Sequence, residues 1–181
     1  MLDLPDAARW EAWLAAEHEG QAEAWLRIAR AHTGIVSVTP AEALDVALCF
    51  GWIDGLRRAC DDVSFLQRYS RRRPGSSWSK ANVAKAEALM AAGRMRPAGL
   101  AEVAAAQADG RWQAAYESQR TAVVPPDLAA ALASHARANA AFERLGKSGR
   151  YAVILPLLKA RTPEARAKIL ALAVARLAAQ N

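Results

Sequence analysis

At 181 residues the chain has room for one substantial domain, or for a small domain with an appended helical half. Hydrophobic residues make up 53% of it, much of that alanine, so core volume must come from a few large side chains, including six tryptophans; no run of about 18 apolar residues offers a transmembrane helix. The formal charge is +6, and residues 55–100 hold ten Lys/Arg against three acids while the remainder holds fourteen against fifteen, which favours an anionic partner over a cationic one.

The start, Met-Leu-Asp-Leu-Pro-Asp, lacks the basic and apolar stretches of a secretory signal. Residues 5–18 then read as a helix, with Trp10, Trp13 and Leu14 on one face and Gly20 beyond its end. Ala24–Arg30 alternates and reads as a strand, and His32-Thr33-Gly34 as a turn. Thr39-Pro40-Ala41-Glu42 is a helix start: Thr39 caps, Pro40 suits the first helical position and Glu42 completes a capping box. Leu44, Ala47 and Leu48 face inward, and Gly51 stands where positive φ is wanted past the helix end.

Trp52–Cys60 and Val63–Arg71 flank Asp61-Asp62 and read as a β-hairpin with a two-residue acidic turn. The basic connection Arg71-Arg72-Arg73-Pro74-Gly75 follows, and beyond it the chain turns helical. Helices are expected at about 80–92, capped by Ser79, and at 97–108. Shorter ones are expected near 111–118, 127–134, 135–145 and 148–160, and a last one opens at Thr162-Pro163-Glu164. Pro156 is expected to kink the helix that holds it. The fold class is therefore α+β: a small antiparallel sheet of about three strands with N-terminal helices, followed by an all-helical half. The expected division is an α+β module over 1–76 and a helical module over 77–181, packed as one compact unit.

The segment Cys49-Phe50-Gly51-Trp52-Ile53-Asp54-Gly55 resembles the YdeI/OmpD-associated family of bacterial proteins. Further matching stretches are Glu42-Ala43-Leu44, Phe65-Leu66-Gln67-Arg68-Tyr69, Ser77-Trp78-Ser79-Lys80, Ala92-Gly93-Arg94-Met95, Gly99-Leu100, Ala108-Asp109-Gly110-Arg111-Trp112, Ala115-Tyr116 and Arg161-Thr162-Pro163-Glu164-Ala165-Arg166. The resemblance extends over nearly the whole chain. It departs where Lys147-Ser148-Gly149-Arg150 leads into an apolar helix rather than a polar one. It implies a bacteriocin-protection protein, or an accessory in envelope stress and cationic-peptide resistance. That is a phenotype with no reaction attached.

Asp54 is the sharpest candidate residue. One reading makes it a perturbed carboxylate in a pocket, acting as acid/base on an anionic small molecule. The other makes it an acid organising the helix-to-strand corner, paired with Arg57, Arg58 or Arg68. Ser76-Ser77-Trp78-Ser79-Lys80 reads either as a phosphate site at a helix N-terminus or as a cap with a packing tryptophan. Arg71, Arg72 and Arg73, with Arg68 and Lys80 nearby and Tyr69 and Trp78 close in sequence, read as a grip for nucleic acid or another anion, or as a solvated loop. Cys49 and Cys60 have no metal-ligand spacing and read as reduced thiols, and His18, His32 and His135 are scattered, so no metal or cofactor is proposed. These readings converge on a cytoplasmic, non-enzymatic binding protein. Its expected binding face comprises Trp52, Asp54, Arg57, Arg68, Arg71, Arg72, Arg73, Trp78, Ser79 and Lys80.

Overall fold

The computed structural model describes residues 1–179. They divide into two units: Met1–Trp78 with Asn82–Ala114, and Ser79–Ala81 with the chain from Ala115 onward. All six tryptophans lie in the first unit. Among the described residues no helix is long and apolar enough to cross a membrane.

The first unit is built on a four-stranded sheet of order β1-β2-β4-β3, with β1 at Leu2–Asp3, β2 at Glu23–Ala29, β3 at Trp52–Ala59 and β4 at Ser64–Arg71. The three strands read from sequence are its antiparallel part. The fourth, β1, runs parallel to β2 over two residues and is too short to show any period. Buried residues alternate along β2 as Ala24, Leu26 and Ile28, and along β4 as Phe65, Gln67 and Tyr69. The hairpin strands end at Ala59 and Ser64, so four residues connect them rather than the two-residue turn expected. Between them Asp61 accepts from the Val63 amide at 3.0 Å, the Ser64 hydroxyl at 2.7 Å and the Arg27 guanidinium at 2.8 Å. These donors hold its carboxyl at about 2, the Ser64 hydrogen bond contributing most.

Helix α1 (Ala7–Glu17) is capped by Asp6, which accepts from the Arg9 amide at 2.8 Å. Helix α2 (Pro40–Cys49) carries the expected capping box in full: Thr39 Oγ1 accepts from the Glu42 amide, and Glu42 accepts from the Thr39 amide at 2.9 Å. Gly51 then takes φ +73°, which ends the helix. Helix α3 spans Lys80–Ala91 and α4 Pro97–Ala108. The start of α4 packs on the end of α2, where a Cβ on Gly99 would lie only 2.3 Å from the Cys49 carbonyl oxygen. Cys49 is buried and Cys60 exposed, both as free thiols. Burial raises the Cys49 thiol.

The short helix expected near 111–118 does not form. Gly110 turns the chain at φ +78°, and the Arg111 guanidinium is held at 2.7 Å by the Asp109 carboxylate. Tyr116 instead forms a β-bridge with Ser79, and its carbonyl accepts from the Lys80 amide at 2.9 Å.

The second unit holds α5 (Pro126–Ala133), α6 (Ala136–Arg144), α7 (Lys147–Lys159) and α8 (Pro163–Ala178). Their core comprises Leu128, Leu132, Phe142, Ile154, Leu157, Val174 and Leu177. Asp127 at the start of α5 is clamped by Arg166 through bonds of 2.6 and 2.9 Å, which lowers its carboxyl. Thr162 caps α8 by accepting from the Ala165 amide at 3.2 Å. Helix α7 runs through Pro156, which removes one N–H donor from its ladder.

Candidate functional site

The inner face of the sheet is closed by indoles. Trp10 stacks on Trp13 with ring centroids 5.2 Å apart, and Trp52 meets both edge-on at 6.4 and 6.0 Å. Tyr69 lies 5.6 Å from Trp10. Trp10 donates to the Ala43 carbonyl at 3.0 Å, whereas the buried Trp52 Nε1 has no hydrogen-bond partner. The structure thus places Trp52 inside the aromatic core.

Asp54 follows two residues later on the same edge strand, opposite Tyr69 in register. Its residue surface is exposed, yet enough protein surrounds the carboxyl to raise it by partial desolvation. Its own backbone amide, then Arg72 and then Arg57 pull the other way without cancelling that cost. The negative charge of Asp54 and, above all, burial also push the Tyr69 hydroxyl upward. Of the three arginines expected to pair with Asp54, only Arg57 acts on its carboxyl, without an ion pair among the described residues and more weakly than Arg72, which was not among the three. Arg68 instead pairs with Glu23 at 3.2 Å, and Arg58 lies over the Trp25 ring at 4.9 Å.

Just past Asp54 the pairing slips by a residue: Asp54 faces Tyr69, but Arg57 faces Gln67. Gly55 and Leu56 form the resulting bulge, and the buried Gln67 amide donates to the Gly55 carbonyl at 3.1 Å. The Arg68 guanidinium crosses at Gly55; a Cβ there would stand 3.1 Å from Arg68 Nε, a tight contact that the arginine would have to relieve by shifting a few tenths of an ångström. Arg57 donates to Gln67 at 3.1 Å and lies over the Phe65 ring at 4.2 Å.

Arg68, Arg71, Arg72 and Arg73 line one cavity of about 430 Å³ with Gly20, Ala22, Glu23, Ser70 and Pro74. The lining thus includes four arginines and one carboxylate residue, Glu23. Arg71 is aimed by the backbone carbonyls of Glu19 and Gln21, which orient it without neutralising it. Arg72 is buried and stacks on Trp78 at 3.6 Å from the ring centroid. Trp78 in turn packs against Trp112 at 4.8 Å, and Arg111 closes the cluster by donating to the Ser76 carbonyl at 2.9 Å. Arg73 is exposed, with no ion pair among the described residues.

The other expected residues are elsewhere. Arg57 lines a second cavity, of about 370 Å³, with Arg58 and Arg30. Ser79 and Lys80 belong to the second unit, where Lys80 is paired with Glu117 at 2.5 Å. Sequence reading missed Arg30, Glu23 and the Gly20–Ala22 backbone. Glu23 and Arg68 lie two residues out of register across β2 and β4, on the same face, a proximity that only strand pairing reveals.

Comparison with known proteins follows the same division of the chain. The chain belongs to the family described as Domain of unknown function (DUF8412), whose model matches residues 2–102. Residues 121–180 match the family described as bacteriocin-protection, YdeI or OmpD-associated. The YdeI/OmpD-associated match is therefore to the C-terminal region, while Trp52-Ile53-Asp54-Gly55 falls in the range of the other model. No curated protein and no solved structure matches the chain.

Proposed function

We propose that this chain is a cytoplasmic accessory protein of the YdeI/OmpD-associated type, linked to bacteriocin protection or envelope stress, that binds a small anion through the arginine cavity at the end of β4. The observation that carries this reading is the cavity's charge: Arg68, Arg71, Arg72 and Arg73 against Glu23 alone. Its volume of about 430 Å³ suits a small molecule rather than a polymer. Guanidinium forks match phosphate and carboxylate oxygens in pairs, so an anion of that kind is the fitting ligand. Two carbonyls hold Arg71 and an indole holds Arg72, so little side-chain freedom remains to be lost on binding.

A calorimetric titration with inorganic pyrophosphate and with citrate, across a sodium chloride series, tests the idea. Affinity is expected to fall as salt rises. Arg73→Ala is expected to weaken binding about fivefold, the size of one exposed ion pair, and Arg71→Ala to weaken it further. Absence of saturable binding to either anion, or binding indifferent to both substitutions, refutes the reading. A second reading makes Asp54 the acid/base of a reaction on such an anion, supported by its raised carboxyl beside Arg72 and Arg57. Binding that survives Asp54→Asn while turnover of a bound anion disappears would favour that one.

A further inference from the structure

The near-neutral sum outside residues 55–100 hides an imbalance. From residue 115 to the end there are ten Lys/Arg and only four acids, Glu117, Asp127, Glu143 and Glu164. Each acid is already engaged. Glu117 is held by Lys80 and Thr121, Asp127 by Arg166, Glu143 by Arg150 at 2.7 Å, and Glu164 by the cap at Thr162. Among the described residues, the second unit therefore has cations to spare and no side-chain carboxylate left to meet them.

One of these cations stands at an apolar hollow. Helices α7 and α8 flank a half-open cavity of about 390 Å³ lined by Ala152, Val153, Pro156, Ile169 and Ala173 among others, and among the described residues Arg176 is its only charged lining residue. Arg176 is exposed in the last turn of α8 and has no ion pair among the described residues. Leu172, which also lines the cavity, leaves 59% of its surface in solvent, a large apolar side chain uncovered at that spot. A mostly apolar pocket with one well-placed polar group is how proteins hold a small amphiphile.

We propose that this cavity binds a single-chain amphiphile with an anionic head, such as a medium-chain fatty acid. The alkyl chain lies between α7 and α8, and the carboxylate meets Arg176. Charge selects the head group: among the described residues every side-chain carboxylate of the unit is engaged, and Arg176 is the exposed cation that lines the cavity. The site is separate from the arginine cavity of the sheet, so either can be present without the other.

The test is calorimetric titration of the full chain with decanoate below its micelle concentration, alongside decanol, decyltrimethylammonium and sonicated anionic phospholipid vesicles. Saturable decanoate binding is expected, with no saturable heat from decyltrimethylammonium. Arg176→Gln should weaken decanoate about fivefold while leaving decanol unchanged. Ala152→Phe, at an exposed lining position, should block both, with circular dichroism confirming that the variant folds. The proposal fails if decanoate does not saturate, if the ammonium amphiphile binds equally well, if Arg176→Gln changes nothing, or if only vesicles bind.

Discussion

At the scale of single residues, Asp54 is where charge and burial are in conflict. Its carboxyl is raised, so the folded form holds the proton more tightly than the unfolded chain does. A group shifted this way supports the fold fully below the unfolded value of about 3.9, and that support is lost as pH rises through the folded value. At neutral pH the ionised carboxylate is thus a net cost, one that Arg72 and Arg57 reduce without removing. Asp54→Asn is expected to melt higher than the wild type at pH 7, with the two curves converging at pH 3 and below. A lower melting temperature at pH 7 would mean that the acid acts as a structural counter-ion. The sequence showed an acid among arginines; it did not show which arginine. Arg68, the nearest candidate across the hairpin, is drawn to Glu23 by strand pairing and crosses the backbone at Gly55.

At the scale of elements, short-range signals read well and long-range ones did not. The Thr39–Glu42 capping box, Gly51 beyond α2 and the β3–β4 hairpin are set by residues within a few positions of one another, and all three form. The bulge at Gly55 and Leu56 was not legible, because it depends on Gln67 reaching across from another strand. Nor was the contact between α2 and α4. The Arg96 amide donates to the Cys49 carbonyl at 3.0 Å, and Gly99 sits against the last carbonyls of α2. With backbone atoms on both sides there is no flexible neighbour to yield. Gly99→Ala is therefore expected to destabilise the protein by about 1–3 kcal/mol, seen as a lower urea midpoint with an unchanged slope. A neutral or stabilising effect, as for an ordinary helical Gly→Ala, would show that α4 moves away at little cost.

At the scale of the whole molecule, counting charge over one segment located the arginines of the sheet cavity but concealed the surplus after residue 115. The acidic beginning of the chain cancelled it on paper. The six tryptophans raise a different matter. Confined to the first unit, they make indole fluorescence a report on that unit alone, while the second unit contributes to far-ultraviolet ellipticity without any indole. Heating one sample under both detectors should then show whether the units melt as one. Superimposable curves would establish a single cooperative transition. Emission that shifts at a temperature where helical signal persists would establish two transitions, and would let each unit's ligand be assigned by which of the two signals it protects.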